Sequence, residues 1–380
     1  MEGRHARKLS SRKTRAAGNG LGQLVLILGL ICFGAALKGN GCFAQEAAVE
    51  KSGTAVIAFG GDVMVPLGTN EEETRKFLSG LSPTFKSADA AFVNLEGPIG
   101  GDIAEEKHCK SVNCHVLRQS PSIAQALSEI GVKVVSVANN HAGDLGLSGM
   151  ASTDAALAQA GIIPAGRMDR KPAVIKIGGM SIAFLGFGSF RGIPDTRDLE
   201  PALADIREAK ASYDVVVVSM HVGCEGEKAG VIPNGHERCF GDDRGDTKRF
   251  ARAAARAGAT IIVGHGPHVP RGVEFQNGVP IFYSLGNLAT GAGIRVEGKE
   301  ALAPVLIVTF HKKRSAKIES MRIVSFKQDR EAGPLPDPDD AARKEILALS
   351  KALNKNSPTS ARQVDRALGT PANENGDDQP

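Results

Sequence analysis

The sequence predicts an α/β fold, and three observations carry that expectation. Apolar runs of strand length alternate with segments of helical spacing. Several of those runs end in a Gly-flanked Asp, Asn, Glu or His. Two-residue turns, Gly178-Gly179 and Asn277-Gly278, join neighbouring runs into hairpins, which adds antiparallel strands to a mixed sheet.

In chain order, Ala55–Phe59 is an apolar strand ending in Gly60-Gly61-Asp62. Ala90–Val93 is a second, ending in Asn94-Leu95-Glu96. Ser122–Ile130 has helical spacing, and the strand Val132–Val137 follows it into Asn139-Asn140-His141. Thr153–Ala160 reads as a helix stopped by Gly161. Ala173–Ile177 and Ser181–Gly186 flank the first tight turn. Asp214–Ser219, with Val215 to Val218 contiguous, is a buried strand running into His221. Lys248–Ala257 is a helix, and Thr260–Val263 a strand ending at Gly264-His265. Gly272–Phe275 pairs with Val279–Tyr283, and Pro304–Phe310 with Ala316–Phe326. Ala341–Asn354 is an amphipathic helix, and the polar tail from Ser357 reads as disordered. The expected organisation is residues 1–44 for targeting, 45–53 as linker, 54–326 as one catalytic-type domain, 327–356 as a helical extension and 357–380 as tail.

The chain has 380 residues, 42% hydrophobic and 23% charged, which is ordinary globular composition. Aromatic content of 4%, with no Trp, argues against a platform for stacking bases or sugars. The net charge of +4 is misleading, because residues 1–44 hold seven basic side chains and one acid, leaving −2 for the remainder. Nucleic acid is therefore not an expected partner. A basic stretch from Arg4 to Arg15 precedes the apolar run Leu21–Leu37, and Cys42-Phe43-Ala44 offers small residues at a cleavage site. The segment reads as a signal peptide cut after Ala44, or as an uncleaved signal anchor holding the protein to the membrane. Either way the positive-inside rule puts the body outside the cytoplasm, in a periplasm or on the outer face of the cytoplasmic membrane. Cys109, Cys114, Cys224 and Cys239 remain in the body, an even number that suits disulfides in an exported chain. The local pairings Cys109–Cys114 and Cys224–Cys239 are expected, although His108 and His115 beside the first pair also resemble a zinc site.

The strand ends gather the chemistry: Asp62, Asn94 with Glu96, Asn140 with His141, His221 with Glu225, and His265 with His268. In open α/β sheets ligands bind beyond the strand C-termini. Taken singly each residue has a bland explanation, as a cap, a turn or a hydrogen-bonded core histidine. Arg271 could bind an anion but reads rather as solvated, and Tyr283 and Ser284 read as a hydrogen-bonded turn or as substrate contacts. Their shared placement is what points to a site. Carboxylate, amide and imidazole together suit one or two divalent cations such as Mn, Zn or Fe.

The series Gly61-Asp62-Val63-Met64, Asn94-Leu95-Glu96-Gly97-Pro98, Asn139-Asn140-His141-Ala142-Gly143-Asp144, His221-Val222-Gly223-Cys224-Glu225, Gly264-His265-Gly266-Pro267-His268 and Ser284-Leu285-Gly286-Asn287 resembles the CapA family of capsule and poly-γ-glutamate biosynthesis proteins, over about Ala55 to Val324. That family is similar to the calcineurin-like metallophosphoesterases. The resemblance implies a metallophosphatase-type two-sheet sandwich flanked by helices, in four α/β/β/α layers. It implies metal ligands at Asp62, Glu96, Asn140, His221, His265 and His268, and His141 as general acid, oriented by Asp144. Asn94, Glu225 and Asn287 are the expected substrate contacts. The implied partner is an anionic polymer or its membrane synthase or export complex. Departures stand beside this. Met64 occupies a position where the wider superfamily has a histidine ligand, Gly266 replaces a usual histidine, Val222 replaces an aromatic, and Cys224–Asp246 is expanded. Three readings follow: a polymer synthesis or export factor, a metal-dependent phosphoester or amide hydrolase, and a non-catalytic scaffold.

Overall fold

The computed structural model describes residues 53–65, 69–101, 103, 107–109, 114–291, 295–312 and 316–369. The targeting segment and nearly all of the linker lie outside them.

Two sheets face each other. In spatial order the first contains β16 (Gly333–Pro336), β15 (Ala316–Asp329), β14 (Leu302–Lys312), β1 (Thr54–Met64), β2 (Ala90–Leu95), β3 (Val132–Ser136) and β4 (Ile163–Ala165). A further strand, β13 (Asn287–Thr290), also runs parallel to β1. The second sheet is ordered β11 (Val273–Gln276), β12 (Val279–Phe282), β10 (Ile261–His265), β7 (Val215–His221), β6 (Met180–Gly188) and β5 (Ala173–Ile177). A small hairpin, β8 (Arg238–Cys239) with β9 (Asp242–Asp243), stands apart.

Side chains alternate across each strand, and that alternation makes the layers. Ile57, Phe59 and Phe92 point inward against Phe184, Val215, Val217 and Val263 of the opposite sheet. Ala58, Val63, Ala91 and Val93 point outward. They meet α2 (Ser82–Lys86) and α3 (Ile123–Glu129) through Phe85, Ile123 and Leu127. The same outer layer includes α1 (Glu71–Leu78), which opens on an Asn70/Glu73 capping box, and α4 (Gly146–Gln159). On the other side Val216, Val218 and Ile262 pack on α5 (Leu199–Ser212) and α6 (Thr247–Ala257). The result is the four-layer α/β/β/α sandwich.

Both tight turns form as expected, with positive φ at Gly178, Gly179, Asn277 and Gly278. Other boundaries differ. The helix expected from Thr153 begins earlier, at Gly146. β15 runs through residue 326 to Asp329 and pairs with β16, so the extension is continuous with the first sheet. The disordered tail expected from Ser357 is corrected: Pro358–Leu368 forms α8, which buries Val364 and Leu368 in the inter-sheet core. Pro358 sits in its first turn, where a missing N–H costs nothing. Beside it α7 (Ala341–Leu353) buries Ile346 in the same core. Polar composition concealed an amphipathic helix whose apolar face closes the end of the sandwich. Among the described residues no helix is long and apolar enough to cross a membrane.

Candidate metal centre

Asp62 is placed by a break in β1. Gly60-Gly61 shifts the register against β2 between Phe59 and Asp62. A Cβ on Gly61 would lie 2.0 Å from the Gly286 carbonyl oxygen, which accepts the Asp62 N–H at 2.9 Å. Glycine is thus needed for the backbone of β1 and the segment entering β13 to approach this closely. The carboxylate of Asp62 is fully buried. Asn94 Nδ2 donates to its Oδ1 at 2.8 Å, and the Gly266 N–H to its Oδ2 at 3.3 Å.

Three imidazoles converge on this carboxylate and on Glu96. His265 Nδ1 lies 3.3 Å from Asp62 Oδ1, and His268 Nδ1 lies 3.4 Å from Oδ2. His268 Nε2 is 3.7 Å and His221 Nε2 is 3.8 Å from Glu96 Oε1. Glu225 Oε2 is 4.0 Å from His268 Nε2. One ligand atom each from Asp62, Glu96 and His268 falls within 4.8 Å of the others.

His268 adopts φ +60, the left-handed region that non-glycine residues seldom enter, at a cost of order 1–3 kcal/mol. That backbone holds its ring across Asp62 and Glu96. Asn287 fixes the ring's rotation: its Nδ2 donates to the Glu300 carbonyl at 3.1 Å, so its Oδ1 accepts from His268 Nδ1 at 2.9 Å. The opposite nitrogen, Nε2, is left facing the carboxylates. Gly266, at φ +108, packs against His221. A Cβ there would stand 3.1 Å from the His221 ring, so the backbone and the available space both favour glycine at this position.

Burial raises the Asp62 carboxyl, but His265 and His268 beside it outweigh that and hold it well below the usual carboxylate range. Glu96 moves the other way. Burial pushes it well up, opposed by His268 and reinforced by Asp62 and Glu225. Burial drives His221 well down. Burial would lower His268 too, yet Glu96, Asp62 and Glu225 carry it up to about 10. Two carboxylates and a ring pushed in opposite directions within one buried cluster mark a candidate functional locus.

The unpaired atoms say the same. Both oxygens of Glu96, Nε2 of His221, both ring nitrogens of His265 and Oδ1 of Asn140 are buried without a hydrogen-bond partner among the described residues. Each such group costs about 1–3 kcal/mol if left unmet. Oxygen and imidazole donors in this mixture fit a divalent cation.

His141 stands at the rim. Its Nδ1 lies 2.5 Å from Asp144 Oδ2, and the other Asp144 oxygen meets Lys107 Nζ at 2.8 Å. Burial lowers the His141 ring, with Asp144 opposing. Among the described residues, no hydrogen bond or ion pair links His141 or Asn140 side chains directly to Asp62. The connection runs through Asn139, whose Nδ2 donates to Asn94 Oδ1 at 3.2 Å and to the Leu95 carbonyl at 2.9 Å. Its Oδ1 accepts the His141 N–H at 3.2 Å.

The expected residues therefore divide. Asp62, Glu96, His221, His265 and His268 meet. Asn94 and Asn287, expected at substrate, are fully buried, and their amides are committed to Asp62, His221 and His268. Glu225 is ion-paired to Arg244 at 2.6 Å. Arg271, expected in solvent, is corrected: it is buried, with Nη1 and Nη2 donating to Glu237 at 2.9 and 2.7 Å. Tyr283 and Ser284 form internal hydrogen bonds, to Glu274 and to the Val269 carbonyl. The disulfides are Cys109–Cys114 and Cys224–Cys239. Sequence reasoning missed Asn139, Arg244 and Gln119. The last bridges the ends of β1 and β2, donating to the Val63 and Glu96 carbonyls at 3.0 and 2.9 Å. The doubled asparagine before His141 signalled the first of these. Nothing local marked the other two.

A family model described as bacterial capsule synthesis protein PGA_cap matches residues 56–292. Among curated proteins, the PGA biosynthesis protein CapA of Bacillus subtilis is 31% identical over 258 residues, covering 62% of this chain and 63% of its own length. The capsule biosynthesis protein CapA of Bacillus anthracis is 29% identical over 232 residues, 56% of this chain and 53% of that protein. A probable polyglutamine synthesis accessory protein of Mycobacterium tuberculosis is 29% identical over 230 residues, 53% of this chain and 56% of its own. The chain thus spans less than two thirds of the length of these relatives. Of solved structures, the NAD nucleotidase of Haemophilus influenzae covers 83% of this chain and 61% of itself at TM-score 0.37 and 10% identity. The purple acid phosphatase PPD1 of yellow lupin covers 71% and 54% at TM-score 0.34 and 11% identity. Both likenesses are distant, and the fold described above rests on its own strands.

Proposed function

The chain belongs to the bacterial capsule synthesis family PGA_cap, and from that premise we propose that it assists synthesis or export of an anionic capsule-type polymer such as poly-γ-glutamate, outside the cytoplasmic membrane, through a divalent-cation site at the sheet edge. The observation that carries the reading is coincidence. The family match, residues 56–292, contains every member of the carboxylate–imidazole cluster from Asp62 to His268. The two disulfides and the basic-then-apolar N-terminal sequence support the compartment.

Asp62, Glu96, His221, His265 and His268 would hold the cation, with Asn140 Oδ1 as a further oxygen donor. When bound, the cation supplies Lewis acidity toward a phosphoryl or amide oxygen. The surrounding chain does the rest. Asn94 and Asn287 orient Asp62 and His268. Burial of the cluster excludes water and strengthens each electrostatic contact. At the rim, Asp144 takes the Nδ1–H of His141, so the ring offers Nε2 outward. Nε2 can accept a proton and return it to a leaving group, with Asp144 steadying the charged ring between the two steps. This dyad favours a second reading, hydrolysis of a phosphoester or polymer amide bond. Met64, in the position of a histidine ligand, favours a single metal or a scaffold instead.

Metal analysis of the purified full chain separates these readings. Wild type is expected to hold near-stoichiometric divalent metal, with Asp62→Ala losing most of it and His141→Ala keeping it. A hydrolase also loses turnover in His141→Ala. A wild-type protein that holds no metal after incubation with Mn²⁺ or Zn²⁺ removes the cation site from the proposal.

A further inference from the structure

The expanded stretch between Cys224 and Asp246 builds one wall of the centre, and it delivers a cation there. Arg244 is 4% exposed. Its backbone is fixed on both sides, with its N–H given to the Glu237 carbonyl at 2.8 Å and its own carbonyl accepting from Gly223 at 3.1 Å. The guanidinium carbon lies 5.0 Å from the centroid of the Phe190 ring, and Phe190 meets the His221 ring edge-on at 5.9 Å. Nη1 donates to Glu225 Oε1 at 2.6 Å, and the other Glu225 oxygen faces His268. Among the described residues, Nε is buried with no hydrogen-bond partner, and the nearest acidic partner of Nη2 is Asp242 Oδ2, at 3.8 Å. So a planar five-donor group is held on an aromatic face beside the metal-type cluster, and its hydrogen-bonding capacity is largely unused.

The electrostatic setting gives that capacity a use. Asp62, Glu96 and Glu225 would repel an anionic ligand. Arg244 sets a cation against that charge, reaching Glu225 directly while the other Glu225 oxygen faces His268. Burying a guanidinium for stability alone is a poor bargain, because desolvation largely cancels the ion-pair gain.

We propose that Arg244, braced by Phe190, is an oxyanion subsite of this centre, taking a carboxylate or phosphate of the ligand on the donors that Glu225 leaves unused. The proposal rests on the polymer-site reading above for the subsite's neighbour, and it assigns the residue that makes an acidic ligand acceptable there. Glu225 is the resting counter-ion of the guanidinium, and a planar oxyanion matches its fork.

The test compares full-length wild type, Arg244→Gln and Arg244→Lys. Calorimetric binding is measured for synthetic penta-γ-glutamate, its uncharged penta-γ-glutamine counterpart and inorganic phosphate, each with and without Mn²⁺, alongside metal content. Arg244→Gln is expected to lose at least about tenfold in affinity for a charged probe, the scale of one charge-assisted hydrogen bond. Metal content and binding of the uncharged peptide stay within about twofold of wild type. Arg244→Lys, which keeps charge without the fork, recovers part of the loss and guards against a folding artefact. A loss confined to the pentamer assigns the subsite to carboxylate, and one confined to phosphate assigns it to phosphoryl groups; both support an oxyanion subsite. Unchanged affinity for both charged probes overturns it. So does an equal loss for charged and uncharged peptides, since Arg244 would then act only by positioning Glu225. Wild type that takes up no Mn²⁺ defeats the metal reading alone, because the metal-free comparison still reports on Arg244.

Discussion

Glu237→Gln tests how the site wall is held. The Glu237 carboxylate accepts four donors: Thr247 Oγ1 at 2.6 Å and Arg271 Nη1 at 2.9 Å on Oε1, then Arg271 Nη2 at 2.7 Å and the half-buried Cys224 N at 3.0 Å on Oε2. A glutamine amide keeps one acceptor and turns a donor toward the other pair. Two donors go unmet, and the Arg271 charge loses its counter-ion. Each unmet donor costs about 1–3 kcal/mol, and breaking a buried ion pair from one side costs about 3–5 kcal/mol. Arg271 Nε still reaches the Ala229 carbonyl at 2.7 Å, so the expected loss is about 3–5 kcal/mol rather than the sum. With a urea m-value of about 3 kcal/mol per M, the midpoint falls by about 1–1.7 M at pH 7. The sign with pH is fixed as well. Burial pushes Glu237 up, but hydrogen bonds and charge from Arg271 outweigh it, and the folded carboxyl sits below its ordinary range. A depressed folded value gives stability that is complete above the unfolded value of about 4.3 and is lost as pH falls through the folded value. The gap between wild type and Glu237→Gln should therefore shrink between pH 7 and pH 3. A gap below about 1 kcal/mol at pH 7, or one that widens in acid, would refute this account of the wall.

Three further outcomes are expected. Gly266→Ala places a methyl against His221 in a left-handed backbone, so metal content should drop severalfold, with about 1–2 kcal/mol lost in urea melts. Opening Cys224–Cys239, which are 15 residues apart, by Cys239→Ala should cost about 3 kcal/mol, and thiol labelling of wild type without reductant should find neither cysteine free. Asn139→Ala should lower stability by about 1–3 kcal/mol through lost hydrogen bonds to Asn94 and Leu95, whereas Asn140→Ala should chiefly lower metal affinity; the reverse pattern would exchange the roles given to the two asparagines.

Much of the fold was legible because burial and period agree in it. Val215–Val218 is a strand wherever it is read, and Asn277-Gly278 is a hairpin turn. The cluster was legible because chemistry-bearing residues follow apolar runs, and a strand's end is where its side chains reach a common edge. What stayed hidden depended on contacts distant in sequence. Gln119 bridges the carbonyls of Val63 and Glu96, far from it along the chain. Arg244 acts across the centre within an expansion of polar and glycine residues that looks like an ordinary loop. Arg271 read as solvated because its partner, Glu237, is reached only after that expansion folds back. The α8 helix was missed because a weak apolar stripe becomes decisive only against a surface that needs covering.

The forked pairing of β1 sets a limit on dissection. Its first half, Thr54 to Phe59, zips to β14, while Asp62 to Met64 lies against β13. β14 starts at Leu302, ten residues past the end of the family match. A protein cut at that end would keep the whole carboxylate–imidazole cluster but strip the antiparallel partner, β14, from the first half of the strand that aims Asp62. It would also bare a fresh sheet edge, inviting strand exchange between molecules. The homology boundary stops short of a strand that the first sheet is built on.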